Sequence, residues 1–122
     1  MQKRIIQKND ISIAVIYSDE LVIADAQSAL DLIASINYHD DCQRIAINKG
    51  AIIEDFFELS TGVAGEILQK FSNYLSKIAI IGDFSNYKSK PLNDFIFECN
   101  KGKTVFFVKD EQNAIDKLSS AV

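Results

Sequence analysis

The stretch from residue 55 to residue 84 reads DFFELSTGVAGEILQKFSNYLSKIAIIGDF, and it indicates the fold class of the chain. A pair of phenylalanines leads into a turn of hydroxyl and glycine residues, and a long amphipathic segment then precedes an apolar run. That run, residues 78 to 82, shows no alternation of apolar and polar side chains. It therefore predicts a strand buried on both faces, as in a parallel sheet covered by helices on each side.

Two features inside this stretch predict local structure. The pair Phe56 and Phe57 is expected on a short helical turn that fills part of the core. A helix is expected to begin near Ser60 or Thr61, which would provide a single side-chain cap. Its apolar stripe would consist of Val63, Ile67, Leu68, Phe71, Tyr74 and Leu75, and its polar face of Glu66, Gln69, Lys70 and Asn73.

Strands and helices alternate along the rest of the chain. Apolar runs predict further strands at residues 3–8, 11–17, 44–48 and 105–108, and Asn9-Asp10 between the first two is typical of a hairpin turn. Capping residues predict further helices beginning near Asp25, near Ser89 or Lys90, and near Asp110. The order ββαβαβαβα predicts a single α/β domain, residues 1–122, with a mixed, mainly parallel five-stranded sheet and about four helices.

Composition excludes several classes of function. The 122 residues suit one domain, and a net charge of −4 disfavours nonspecific nucleic-acid binding. The aliphatic runs are far too short to cross a membrane, and the first eight residues do not resemble a secretory signal. We expect a cytoplasmic protein that binds neither nucleic acid nor membrane, in which Cys42 and Cys99 are reduced.

The sequence contains no recognisable catalytic or metal-binding motif. His39, the only histidine, stands beside Asp40, Asp41 and Cys42, but four successive residues rarely face one ion, so a solvated loop is expected. No phosphate-binding loop or dinucleotide fingerprint is present. The glycine pair Gly62 and Gly65 has the spacing of a KH loop without its basic flanks. We predict no metal, no cofactor and no catalytic residue.

The turn before the central helix is the first candidate site. A phosphoryl group on Ser60 or Thr61 would add nearly two negative charges at a helix N-terminus, where free N–H groups favour an anion. The alternative is that these hydroxyls only cap the helix, while Gly62 and Gly65 allow close packing.

The loop after the central strand is the second candidate site. Ligands of open α/β sheets bind beyond the carboxyl ends of the strands. Asp83, Ser85 and Ser89 follow such an end, so a small polar ligand could lie between them and the Ser60–Gly62 turn. The alternative is that Asp83 only caps a turn of its own backbone.

The same residues resemble a known family. The run from Phe56 to Leu59, the run from Thr61 to Phe71, and Gly82-Asp83-Phe84 are similar to a bacterial family defined as domain of unknown function 4180. Further similarities are Ser89-Lys90, Asp94-Phe95-Ile96, Glu98 to Gly102, and Phe106-Phe107-Val108. This resemblance covers most of the chain and implies no particular activity.

A weaker resemblance concerns the order of the elements, which is similar to that of the STAS (SpoIIAA-like) fold of anti-sigma-factor antagonists. In that family a hydroxyl in the turn before a helix is phosphorylated by a partner kinase. Leu59-Ser60-Thr61-Gly62-Val63 occupies the similar place here, but Leu59 stands where that family has an acidic residue, and residues 51–58 lengthen the connection.

These observations favour a non-enzymatic interaction or regulatory module with a protein partner. Its recognition surface would be the Ser60–Gly65 turn, the loop of residues 83–89, and Glu66, Gln69, Lys70 and Asn73 of the central helix. One alternative is a ligand-binding protein or enzyme with a pocket around Asp83 and Thr61. A further alternative is a homodimer formed through the exposed tyrosines Tyr17, Tyr38 or Tyr87.

Overall fold

The computed structural model describes residues 1–121 and contains one five-stranded sheet with the strand order β1-β2-β3-β4-β5. Its strands are β1 (Gln2–Lys8), β2 (Ile11–Tyr17), β3 (Arg44–Asn48), β4 (Lys77–Ile81) and β5 (Val105–Val108). The pair β1–β2 is antiparallel and the other three pairs are parallel, so the predicted mixed sheet is confirmed. Asn9 and Asp10 both have positive φ, as a two-residue hairpin turn requires.

Four α-helices and three 3₁₀ turns connect the strands. The helices are α1 (Ala26–Asp40), α2 (Val63–Asn73), α3 (Lys90–Lys101) and α4 (Glu111–Ser120). The 3₁₀ turns follow one another between β3 and α2, at Lys49–Ala51, Glu54–Phe57 and Leu59–Thr61. The predicted order of strands and α-helices is confirmed, and so is the helical turn that carries the two buried phenylalanines.

Strands β2 to β5 are buried on both faces, whereas the residues of the edge strand β1 are exposed or half-buried. One face packs against α1, α2 and α3, and the opposite face packs against α4. Right-handed crossovers between successive neighbouring strands place their helices on the same side, so only the helix after the last strand reaches the other side. Ala46 and Ala79 belong to the α4 cluster, and their small side chains give α4 room to approach the sheet.

Side-chain caps fix the starts of three helices as predicted. Asp25 accepts a hydrogen bond from the Ser28 backbone N–H at 2.8 Å, and Asp110 accepts one from Asn113 N–H at 2.8 Å. Ser89 accepts one from Leu92 N–H at 3.3 Å. For α2 the prediction was wrong, because its N-cap is Gly62, with φ +78°, and not Ser60 or Thr61. Those two residues instead close the preceding 3₁₀ turn.

The end of α2 also differs from the prediction. The helix stops at Asn73, and Leu75 takes the left-handed conformation with φ +56°. Ser76 N–H then donates to the Phe71 carbonyl at 2.8 Å, which is the closure of a Schellman motif. Tyr74 and Leu75 are therefore exposed and do not extend the buried stripe.

None of the helices in the described chain is both long enough and apolar enough to cross a membrane.

Candidate functional site

The two hydroxyls of the turn before α2 have different environments. The Thr61 hydroxyl lies 2.9 Å from the Asp55 carbonyl and 2.8 Å from the Glu58 carbonyl, which share its one proton, and it accepts from Val63 N–H at 3.2 Å. It therefore holds the two successive 3₁₀ turns against the start of α2. Ser60 is exposed, and no side-chain hydrogen bond of the described chain involves its hydroxyl. Of the two predicted acceptor residues, Ser60 is the one whose hydroxyl is free to react or to bind.

The two glycines of this turn face open space. A Cβ atom added at Gly62 or at Gly65 would meet no heavy atom within 4 Å. Gly62 needs its positive φ to begin α2, but Gly65 lies inside the first turn of the helix, where glycine is less favourable than alanine by roughly 0.5–1 kcal/mol. No close packing within the chain explains Gly65, so the packing role considered for it was wrong.

The outward side of α2 carries a polar stripe that continues from this turn. Glu66, Gln69 and Asn73 are exposed, and the Gln69 side-chain amide donates to Asn73 Oδ1 at 2.8 Å. Lys70, which the sequence analysis placed on the same polar face, is half-buried. It follows Glu66 by four residues and so borders this stripe, but it is less exposed than the other three residues.

The loop after β4 forms a turn of its own. Asp83 Oδ1 accepts hydrogen bonds from the Ser85 hydroxyl at 2.6 Å and from the Ser85 backbone N–H at 2.9 Å. These bonds hold the pKa of the Asp83 carboxyl below its ordinary value, because they stabilise its charged form. Ser89 is occupied as the N-cap of α3. The described contacts thus give Asp83 and Ser89 local capping roles.

A cluster that the sequence analysis missed joins this loop to the 3₁₀ turns. Lys49 Nζ lies 5.3 Å from the ring centre of Phe57, 5.0 Å from that of Tyr87, and 3.7 Å from Glu54 Oε1. The Tyr87 hydroxyl donates to Glu54 Oε2 at 2.7 Å, and its ring stacks on Phe57 at 5.4 Å. The nearby Tyr87 and Glu54 raise the pKa of Lys49, and burial raises the pKa of Tyr87. We call these four residues the lysine clamp.

The lysine clamp explains the glycine at the end of β4. A Cβ atom at Gly82 would lie 2.8 Å from Lys49 Cβ and 3.0 Å from Lys49 Cδ, closer than real Cβ contacts allow. The signal in the sequence was the position of Lys49 and Gly82, each directly after a parallel strand. Neighbouring strands bring these two positions side by side at the carboxyl edge of the sheet.

We expect Gly82→Ala to destabilise the protein by about 1–3 kcal/mol, the usual cost of overpacking. In the Lys49→Gly background the same change should cost little, because the atom that clashes is gone. Chemical denaturation of the two single variants and the double variant measures this coupling. Gly50→Ala is the matched control, since its Cβ would lie an ordinary 3.5 Å from Asn48 Nδ2. Equal costs of Gly82→Ala in both backgrounds would contradict the clamp geometry.

The cavities found in residues 1–121 lie away from the predicted place. Five of them are lined by other residues, and none of these five is lined by Thr61 or Asp83. In the same residues no three histidine, cysteine or carboxylate side chains come together to hold a metal ion. His39 lies in the last turn of α1, and its ring meets the edge of Tyr38 at 5.0 Å. Because crossover helices run antiparallel to the strands, His39 is at the opposite edge of the sheet from Ser60.

The two cysteines are free in the described chain. Cys42 is buried, and Cys99 is half-buried on α3. Burial raises the pKa of both thiols, which leaves less of the nucleophilic thiolate near neutral pH. Neither therefore has the environment of a reactive cysteine.

Comparison with known proteins gives one relationship. No curated protein and no solved structure is significantly similar to the chain. Residues 8–118 match a family described as a domain of unknown function, DUF4180. The match covers nearly the whole chain, including the turn before α2, the lysine clamp and the loop after β4. The chain belongs to the DUF4180 family.

Proposed function

We propose that this member of the DUF4180 family is a non-enzymatic protein-interaction module. It recognises a protein partner through the turn before α2 and the outward stripe of that helix. This turn–helix surface consists of Ser60, Gly62, Gly65, Glu66, Gln69 and Asn73. The observation that carries the proposal is Gly65, a residue that weakens its own helix and faces open space. A partner whose backbone or side chains approach α2 closely would explain why no side chain is present there.

The polar groups of this surface support recognition and not chemistry. The N-cap of α2 is a glycine, so Thr61, which bonds Val63 N–H, leaves the next N–H groups of the first turn without a capping side chain. The helix dipole favours an anionic group of a partner at that end. Glu66, Gln69 and Asn73 add a carboxylate and two amides at helical spacing. No side chain of the described residues hydrogen-bonds the Ser60 hydroxyl, so no activating base is in place there.

Ser60 gives this surface a means of regulation. We place the phosphate acceptor of the turn at Ser60, because the Thr61 hydroxyl is engaged in the three contacts described above. A phosphoryl group on Ser60 would bring nearly two negative charges to a turn whose neighbours along the chain include the exposed Glu58 and Glu66. The repulsion of any acidic partner group would then increase. This is the kind of control that the resemblance to STAS domains implies, and phosphopeptide mapping of the protein from its native host tests it.

We expect Gly65→Ala to separate stability from binding. The change should raise the free energy of unfolding by roughly 0.5–1 kcal/mol, because alanine favours the helix and its Cβ meets open space. The same methyl group should weaken partner binding, since it fills the space that the partner approaches. Unfolding by denaturant measures the change in stability. The change in affinity is measured by titrating each variant with a partner protein that was isolated by its binding to the wild-type chain.

Glu66→Ala extends the test along the stripe, and Gln112→Ala on the exposed side of α4 is the control. A partner that binds Gly65→Ala and Glu66→Ala as tightly as the wild type would show that the surface is misassigned. Stabilisation by Gly65→Ala without any loss of binding would lead to the same conclusion.

A further inference from the structure

The two edges of the sheet are treated differently by the rest of the chain. At the edge formed by β5, the Asn100 side chain bonds both the N–H and the carbonyl of Phe107, at 2.8 and 3.2 Å, so α3 covers the middle of that strand. At the other edge, all seven residues of β1 are exposed or half-buried. An uncovered edge strand is a template for pairing with a further strand.

The hairpin turn decides which backbone groups of β1 point outward. In a two-residue hairpin the residues that flank the turn form a hydrogen-bonded pair, and such pairs alternate with non-hydrogen-bonded pairs along the two strands. Lys8 and Ile11 flank the turn here, so the even-numbered residues of β1 bond to β2. The N–H and carbonyl groups of the odd-numbered residues point away from the sheet, and in residues 1–121 no hydrogen bond reaches them. These outward residues are Lys3, Ile5 and Gln7.

β1 lacks the features that usually keep an edge strand from pairing. It contains no proline, and its pairing with β2 runs from residue 2 to residue 8 without a bulge. Its three cations do not guard the edge either, because each is paired with a carboxylate of a helix. These ion pairs join Lys3 to Asp40 of α1, Arg4 to Glu111 of α4, and Lys8 to Asp116 of α4. The charge of the strand is thus balanced within the chain.

We propose that β1 pairs with β1 of a second copy, antiparallel and two-fold symmetric, so that two five-stranded sheets join into one continuous sheet. A two-fold axis at Ile5 pairs the backbone of Ile5 with its own equivalent, and that of Lys3 with Gln7 of the other copy. All three outward residues of each copy then form hydrogen bonds, as a self-complementary two-fold interface requires. The same axis brings together the two Ile5 side chains, each 38% exposed in the single chain.

The charges of β1 favour this register over its neighbours. With the axis at Ile5, no two cations face each other. The facing pairs are then Arg4 with Ile6, Lys3 with Gln7, and Lys8 with Gln2. An axis at Arg4 would set the two Arg4 side chains opposite each other, and an axis at Ile6 would set Arg4 opposite Lys8. Like charges directly opposite destabilise a strand pair.

This match of β1 with itself selects a second copy as the occupant of the open edge. Only the axis at Ile5 pairs all three outward residues and opposes no like charges. The helices leave room for the pairing, because the buried sheet residues beneath them lie on β2 to β5 and none lies on β1. The turn–helix surface shares no residue with β1, so the dimer and the proposed function are tested independently.

Sedimentation velocity of the full chain tests the proposal. One pair of short strands buries less than a standard interface of ~1,600 Å², so we expect a reversible dimer with micromolar affinity, measured between about 1 and 200 µM. Ile5→Lys should abolish the dimer, because it places two like charges at the axis. Ile5→Pro should abolish it too, while the bonds to β2 remain, since the lost N–H points outward. Leu21→Lys, at a residue that is 55% exposed, is the control and should leave the dimer intact.

Two changes at Gln7 test the register. Gln7→Glu sets a carboxylate opposite Lys3 of the other copy and should tighten the dimer roughly two- to tenfold, because the contact occurs twice. Gln7→Lys should weaken it by a similar factor. Amide hydrogen exchange provides a second readout, in which the outward amides of β1 exchange quickly in dilute protein and slowly in concentrated protein.

Three results would overturn the proposal. The first is a chain that stays monomeric throughout the concentration range, even if its open edge bound an added peptide strand. The second is a dimer that Ile5→Lys and Ile5→Pro leave intact. The third is equal affinity of the two Gln7 variants, since the register at Ile5 requires them to differ.

Discussion

Phe56→Ala should unfold a large part of the population under mild denaturant. Phe56 is 1% exposed and lies on a 3₁₀ turn with no strand or long helix to hold it. Its ring lies 5.0 Å from that of Phe57 and 6.4 Å from that of Phe107 on β5, so it fills the space between the turn and the sheet. Truncation of a buried phenylalanine costs about 3–5 kcal/mol, out of a typical domain stability of about 5–15 kcal/mol.

Urea unfolding, followed by circular dichroism, measures this loss as a shift of the midpoint at unchanged slope. Phe56→Leu keeps most of the volume and should cost less than about 1.5 kcal/mol. Phe97→Ala removes an exposed ring and should change the free energy of unfolding by less than about 0.5 kcal/mol. A cost below about 1 kcal/mol for Phe56→Ala would mean that the turn does not pack on the sheet in solution.

Asn100→Leu should destabilise the protein nearly as much as Phe56→Ala, for a different reason. The Asn100 side chain accepts a hydrogen bond from Phe107 N–H at 2.8 Å and donates one to the Phe107 carbonyl at 3.2 Å. In this way α3 satisfies the outer backbone groups of Phe107, at the middle of the edge strand β5. Leucine has a similar volume but leaves both buried groups without a partner, and each such group costs about 1–3 kcal/mol.

The same variant should become prone to aggregation. An edge strand with free N–H and carbonyl groups can pair with another chain, and β5 is apolar and buried at all four positions. We expect a loss of about 2–4 kcal/mol together with light scattering that rises with protein concentration. Asn93→Leu, at an exposed position of the same helix whose amide bonds the Tyr87 carbonyl at 3.1 Å, is the control. Equal stability of the two variants would contradict the role of Asn100.

The sequence pattern predicted the turn before α2 but not which of its residues begins the helix. Ser60 and Thr61 were expected as equivalent helix caps. In the structure Thr61 bonds backward to the carbonyls of Asp55 and Glu58, and Gly62 begins the helix. The choice between the two hydroxyls depends on the 3₁₀ turns, whose positions follow from the burial of Phe56 and Phe57 against β5. That contact joins residues about fifty apart in the chain, and local propensity carries no information about it.

The lysine clamp could not be predicted from the sequence for the same reason. Lys49, Glu54 and Tyr87 come from two loops on different strands and share no motif in the sequence. Parallel pairing of β3 with β4 brings the ends of these strands together, and only then does the Lys49 side chain lie over the rings of Phe57 and Tyr87. A second example is the pairing of two connecting segments. The sequence gives no sign that residues 22–23 and 51–53 interact, but Ile23 and Ile52 form an isolated parallel β-bridge.

The sequence by itself determined the order of strands and helices, the two-sided burial of the strand β4, and three of the four helix starts. These features depend on neighbouring residues: on hydrophobic periodicity, on capping side chains, and on the Asn9-Asp10 turn. Tertiary structure alone decided which hydroxyl is free, why Gly82 and Gly65 differ, and which edge of the sheet stays open. Those outcomes depend on which distant side chains occupy the same space, and packing settles that only once the whole sheet has formed.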